Sequence, residues 1–473
     1  MKKILCILFF LATTPLWAAT YYIDPTAGSD GTGSISSPWN TLSNKTIGGS
    51  NTYYFKRGTS INANFTINTG GTSGAHLTLD AYGTGALPIL RGISTSQTHV
   101  IGITRSSSIQ YIDFKNLHIM TAKYGIQSYG GTSPSDLTPG NNHILCYNLE
   151  VSNILLMGIR LTIDVGGEAE ISNCYIHDLI GDSAGGEGIY CGGGGAIHVH
   201  HNRVNDVGTG IKGTDYNCDG IFTGYGNGSL IEYNTATNQY GSNGSCFDTS
   251  HTAGDGKNPS AIVRNNIARN AEGRGYGSCG DSYENCRVYY YNNYAEDCGT
   301  SFLFYQTGHY WVVNCTSVNP TIRHIRQGAN GAETSRSRTV YVYDTIMSGS
   351  TTYFIQASNE SNKDLYSDYN CFYGTGSFKC SFGSDYTSLS SWKAAGFDPH
   401  SMIADPQLES SYKLKSTSPC INAGMPFSDN TIDIFGTPRP QDSAYDIGCH
   451  EWTPNGSNTA PSPPVGVTLT IIN

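Results

Sequence analysis

Three carboxylates mark where this sequence is equipped for chemistry. Glu187, Asp219 and Asp248 lie in or beside short segments of one design: Gly188-Ile189-Tyr190-Cys191, Gly220-Ile221-Phe222-Thr223 and Cys246-Phe247-Asp248-Thr249, with Gly275-Tyr276-Gly277-Ser278 as a further copy. Aligning the copies places Glu187, Asp219, Ser245 and Arg274 in one column. Ile189, Ile221, Phe247 and Tyr276 form an inward stack, and Tyr190, Phe222 and Asp248 face outward. If the copies are adjacent strands, like positions lie about 4.8 Å apart. Acids at that spacing destabilise one another unless a proton, a base or a cation intervenes. The adjoining loops add Lys212, Asp215, His251, Asp255 and Lys257. Charged residues make up only 14% of the chain, so a group this dense is the first place to look for a site. Turn chemistry alone accounts for an Asp-Gly pair such as Asp219-Gly220. It does not account for Glu187, or for Asp248 on a strand between aromatic neighbours.

Two reactions on polysaccharides suit such a patch. In β-elimination on a uronate chain, calcium held by carboxylate oxygens neutralises the sugar carboxylate and acidifies the C5 proton for a Lys or Arg base. Arg274, Lys212 and Lys257 are the nearby bases in sequence. In glycoside hydrolysis two carboxylates suffice: Glu187 with Asp219 has the short spacing of a retaining pair, and Asp219 with Asp248 a longer one that suits inversion. Elimination is the favoured expectation and hydrolysis the runner-up. Tyr190, Phe222, His251 and Lys257 are expected to contact substrate beside the acids. A third reading is a non-enzymatic surface protein that binds glycans through Tyr289, Tyr290, Tyr291, Tyr305 and Trp311. The basic group Arg323, His324 and Arg326 is expected to bind acidic sugars.

What must position these residues is a repeat. From Ala196 to Ser278 one pattern is written three times: alternating apolar residues, an Asn, a polar Gly-rich corner, a second short strand. The Asn recurs at Asn116, Asn148, Asn173, Asn202, Asn234, Asn265, Asn292 and Asn314, then as Asp344 and Asn370, with the register fixed to within about a residue. The steps of roughly 22 to 32 residues fall in the range of solenoid repeats. Short strands without helical segments bury their apolar face only against neighbouring coils, as in a parallel β-helix. Asn tolerates the left-handed corner, and its amide bonds from rung to rung. The chain thus resembles the right-handed parallel β-helix proteins of the pectate-lyase-like superfamily. The expected fold is all-β, a solenoid of about ten coils.

Asn217-Cys218-Asp219-Gly220 and Asn243-Gly244-Ser245-Cys246-Phe247-Asp248 further resemble the calcium site of one pectate lyase family. That resemblance implies Asp219 and Asp248 as ligands of a calcium cofactor. Asn243-Gly244 stands where that family has an aspartate pair, and its lysine base aligns near Gly277, which leaves Arg274 or Lys257 as substitutes.

The remainder of the chain fits an exported solenoid. Residues 1–18 read as a signal peptide: Lys2 and Lys3, an apolar run from Ile4 to Leu11, and a cleavage site at Leu16-Trp17-Ala18. Residues 19–75 read as an N-terminal capping module, 76–376 as the β-helix and 377–452 as a closing segment. The closing segment resembles one common after β-helix domains of secreted bacterial proteins. Residues 453–473 read as a Pro/Ser-rich tail. No segment after the signal approaches a membrane span. Of 14 Cys, Cys6 lies in the signal, which leaves thirteen, an odd number. Cys279 with Cys286, Cys371 with Cys380, and Cys420 with Cys449 are the expected bridges, while Cys174 and Cys315 are expected as buried thiols. The formal charge of −10 argues against nucleic acid and anionic membranes as partners. A polysaccharide partner and a monomer are expected.

Overall fold

A computed structural model gives the architecture. It describes residues 18–104, 109–129, 141–164, 166–224, 228–250, 261–278, 286–305, 307–328, 338–357, 365–380, 385–409 and 412–454. His251, Lys257, Cys279, all but Ala18 of the expected signal and almost all of the expected tail lie outside these residues.

The chain is a parallel β-solenoid of about 11 turns. Each full coil contributes one strand to each of three sheets. The first sheet has 13 strands, from Thr20–Ile23 to Leu365–Asp368. The second runs through Tyr175–Leu179, Arg203–Val207, Thr235–Gln239 and Ile267–Ala271 to Met402–Ile403. The third runs through Gly186–Gly193, Cys218–Gly224, Ser245–Asp248, Arg274–Ser278, Thr300–Phe304 and Arg323–Gln327. Towards the N-terminus the long strands His118–Tyr129 and Glu150–Ile163 span the second and third sheets together. The first strand already pairs with Thr52–Lys56, so the solenoid begins inside the stretch expected to cap it. Among the described residues no helix is long and apolar enough to cross a membrane.

The inward stack follows the expected register. Ile189 pairs with Ile221, Ile221 with Phe247, Phe247 with Tyr276, and Tyr276 with Phe302. The rings of Phe247, Tyr276 and Phe302 stack at 5.1 and 4.9 Å. Strand alternation fails one residue earlier, because that position also turns inward. A Cβ on Gly188 would meet Val204 Cγ1 at 2.6 Å, and one on Gly275 would meet Ala295 Cβ at 3.2 Å. The thiol of Cys246, at the same position, donates to the Ala236 carbonyl. This bend explains the small residues there, and it pushes the side chains on either side of it outward together.

The asparagine corner resolves into two columns one residue apart. Asn116, Asn148, Asn173, Asn265, Asn292 and Asn314 hold the left-handed corner, with φ of 50–56°. Asn202, Asn234, Asn266 and Asn293 point inward and form the ladder: Asn202 Nδ2 donates to Asn234 Oδ1 at 3.0 Å, and Asn234 Nδ2 to Asn266 Oδ1 at 3.0 Å. The single column expected from sequence therefore merges two, since Asn265-Asn266 and Asn292-Asn293 supply both positions. Asn234 also accepts from the Asn202 amide at 2.9 Å and donates to the Val199 carbonyl at 2.8 Å. Asn234→Ala leaves these buried groups without partners and is expected to destabilise by about 1–3 kcal/mol, measured by urea unfolding.

Two expected disulfides are corrected. Cys371, Cys420 and Cys449 are free and buried, and Cys380 is buried. Cys371 belongs to the second sheet and Cys380 to the third, and Cys371 packs instead with Cys420 in a small cluster with Ile346, Leu414 and Ile447. Cys174 and Cys315 are buried thiols.

Candidate active site

The third sheet carries the acids on its outer face. Glu187 and Asp219 are direct register partners on neighbouring rungs, and Ser245 is the partner of Arg274. Across the bend runs a second outward column: Arg160, Tyr190, Phe222, Asp248, Gly277, Leu303 and Arg326. The two columns meet over the bend, where Ser245 Oγ donates to Asp248 Oδ2 at 3.5 Å although the residues are three apart. The sheet therefore brings Glu187, Asp219, Asp248 and Arg274 into one patch.

These acids are deeply set. Glu187 is 9% exposed, Asp248 3% and Asp219 0%, so Glu187 is the most accessible of the three. Burial pushes the Glu187 carboxyl up to about 8; the Arg160 charge opposes this and the Asp248 charge adds to it. Glu187 Oε2 has no hydrogen-bond partner among the described residues. Burial likewise raises Asp219 well above the usual carboxylate range, with the charges of Asp248 and Glu187 adding to it. Asp219 accepts from the Ser245 amide and from Asn217 Nδ2, both at 2.8 Å. Asp248 Oδ1 accepts from the Ser250 amide at 2.7 Å and from the Ser250 hydroxyl.

The expected calcium would find Asp219 and Asp248, with both Asp219 oxygens already hydrogen-bonded. Among the described residues no three His, Cys, Asp or Glu side chains are grouped to hold a metal ion. Asp219 and Asp248 would supply part of the roughly six to eight oxygens that calcium takes, the rest having to come from backbone carbonyls, water or substrate.

The basic candidates separate. Arg274 Nη1 donates to the Asn243 carbonyl at 2.7 Å, and its guanidinium lies 5.4 Å from the Tyr305 ring centre. The Arg326 guanidinium lies 5.3 Å from the same ring. Arg323 is in register with Thr300, which continues the Glu187–Arg274 column. Its Nε has no hydrogen-bond partner among the described residues. Lys212 lies on the exposed corner between the second and third sheets, outside the strand columns that carry the acids, with its ammonium 3.9 Å from the Tyr240 ring centre. His324 is corrected as a sugar contact. It occupies the inward position of the bend, is 0% exposed, and its Nδ1 pairs with Ser317 Oγ at 2.6 Å.

Aromatic candidates are mostly stacked on each other. Tyr190 and Phe222 lie parallel at 4.9 Å, so the facing sides of their rings cover each other across neighbouring rungs. Tyr290 is in the core. Tyr289 stacks on Trp311 at 4.5 Å on the outer face of the first sheet, in a ladder that continues to Tyr341 and Tyr366. Sequence reading missed Arg160, whose guanidinium lies 5.6 Å from the Tyr190 ring centre. Its signal was present: it stands one repeat step before Tyr190.

No protein-family model and no curated protein matches the sequence. Solved structures do. The complex of XylC with xylose matches at TM-score 0.57 and 9% identity, over 92% of this chain and 98% of that one. Pectate lyase Pel9A matches at TM-score 0.50 and 15% identity, over 92% and 96%. A lacto-N-biosidase from Eubacterium ramulus matches at TM-score 0.48 and 13% identity over 76% of this chain, which spans 64% of that protein. At these identities the likeness establishes the fold alone: the chain shares a parallel β-helix with XylC and pectate lyase Pel9A.

Proposed function

We propose that the chain is an exported carbohydrate-active enzyme that cleaves an acidic polysaccharide by carboxylate-based hydrolysis, with Glu187 as proton donor. The observation that carries this reading is the state of Glu187. A deeply set carboxyl raised to about 8, with one oxygen lacking a hydrogen-bond partner among the described residues, keeps its proton at neutral pH. The leaving glycosidic oxygen needs such a proton. Asp248, oriented by Ser250, is the acceptor carboxylate that activates water or attacks the sugar carbon. Asp219 is linked to Asp248 through Ser245, whose amide it holds and whose hydroxyl reaches Asp248. The acidic substrate is supported by arginines on both sides of the acids along the axis, Arg160 on one and Arg274, Arg323 and Arg326 on the other, because guanidinium groups pair with carboxylates in a fixed fork.

Elimination is the second reading, favoured by one observation: Arg274 stands in the same column as the acids. Incubation with a panel of acidic and neutral polysaccharides, with and without EDTA, separates the two. Hydrolysis releases reducing ends without ultraviolet-absorbing unsaturated ends and is indifferent to EDTA. Unsaturated ends lost on chelation would replace hydrolysis with elimination. No release from any acidic polymer would end the enzymatic reading in favour of glycan binding.

A further inference from the structure

Away from the acids, the corner between the first and second sheets carries a groove of about 600 Å³ lined by His201, Arg203, Tyr233, Thr235, Thr237 and Arg269. Its shape follows from one rung of small residues between two rungs of large ones. On the outer face of the second sheet Arg203 is in register with Thr235, and Thr237 with Arg269, so threonines form a floor bracketed by arginines. One side wall is the left-handed corner column, where His201 and Tyr233 replace the usual Asn and stack on each other at 5.1 Å. Beyond Arg269, Tyr412 of the closing segment lies tilted against Tyr294, their ring centres 4.5 Å apart.

The charges in the groove differ in their commitments. Arg269 is paired with Glu296 at 2.7 Å. Arg203 is exposed, its guanidinium lies 4.9 Å from the Tyr175 ring centre, and it has no acidic partner among the described residues. Thr237 already donates its hydroxyl to Asn205 Oδ1. The groove thus offers a guanidinium fork, the Thr235 hydroxyl and an aromatic wall in a volume typical of small-ligand sites. We propose that this groove is a second, non-catalytic saccharide-binding site, in which Arg203 receives the carboxylate of an acidic sugar while the Thr235 rung and the Tyr233 wall hold its ring. The choice of an acidic sugar rests on the function proposed above. The site itself does not, since it shares no residue with the acid patch.

Affinity electrophoresis in native gels containing polygalacturonate or alginate, with neutral xylan as control, tests this. The probe protein carries Glu187→Gln, so that turnover does not consume the gel polymer. Retardation is expected in at least one acidic gel and not in xylan, and it should fade with added salt. Arg203→Gln, and separately Thr235→Tyr to fill the groove, should each weaken it about tenfold. In the otherwise wild-type enzyme, Arg203→Gln should leave turnover of short soluble oligosaccharides unchanged. Equal retardation of both variants and their parent, or no retardation of the parent in any acidic gel, overturns the second site. Release of products by the wild-type enzyme is read separately, so the two proposals fail independently.

Discussion

Glu187→Gln is expected to lower turnover by about 10²–10⁴-fold, the range for loss of a general acid, while making the protein more stable at alkaline pH. The two effects have one cause. Folding moves this carboxyl from its ordinary 4.5 up to about 8, mainly because burial disfavours its charge. Below about pH 4.5 both folded and unfolded chains hold the proton. As the pH rises towards 8 the unfolded chain ionises first, so stability falls across that window. The full displacement corresponds to an upper bound of about 4–5 kcal/mol. The amide cannot ionise, so the variant should match the wild type near pH 5 and exceed it above pH 8, with a flatter dependence of melting temperature on pH. Wild-type activity should fall as the pH passes about 8, where the donor loses its proton. Full activity of the variant on a confirmed substrate would remove Glu187 from the chemistry. Lost activity with an unchanged stability profile would mean that the carboxyl is ionised in the folded enzyme.

How far the sequence discloses this site depends on side-chain parity. The repeat places Glu187 beside Asp219, and Asp248 in the column of Tyr190 and Phe222, because strand pairing in a solenoid carries each position onto the next rung. The bend after the acid column is not legible from alternation. It turns two successive residues inward, which takes His324 into the core although its neighbours Arg323 and Arg326 remain in the outward columns. The asparagine corner was ambiguous for a related reason: the left-handed residue and the inward ladder residue are adjacent, and Asn suits both. Arg160 escapes notice because its strand, Glu150–Ile163, runs across two sheets with its left-handed corner, Asn153, inside the strand and not beside a Gly-rich gap as on later rungs. The thiols misled through spacing. Cys371 and Cys380 are near in sequence, yet the coil turns between them, and the nearer packing partner comes from a segment that folds back later.

That returning segment gives the largest expected loss of stability: Arg439→Met should cost about 3–5 kcal/mol. The Arg439 and Glu451 side chains are 0% and 1% exposed and paired at 2.8 Å. Arg439 also donates to the carbonyls of Gly448 at 2.7 Å and Asp446 at 3.2 Å. It is thus the cation at the centre of a loop whose other charged side chains include the buried acids Asp433, Asp446 and Glu451. The loop is what docks the segment on the solenoid. The Gly448 amide donates to the Asp344 carbonyl, the Cys449 amide to Thr316, and Asn314 to the Asp446 carbonyl. Removing the guanidinium strands these acids, all of which burial already raises above their ordinary values, Asp446 to about 7. A carboxyl raised by folding stabilises below its unfolded pKa and loses that contribution as pH rises through its folded value. The loss in Arg439→Met should therefore be smaller at pH 5, where the acids take up protons, than at pH 8. Adding Glu451→Gln should restore part of it at pH 8, since the stranded charge is then gone. Urea unfolding of the single and double variants at both pH values measures this, alongside turnover at low temperature, which should be unchanged because the third-sheet acids touch none of these residues. A single variant that loses less than about 1 kcal/mol at pH 8 would show that the segment is held by its backbone contacts and not by the buried pair.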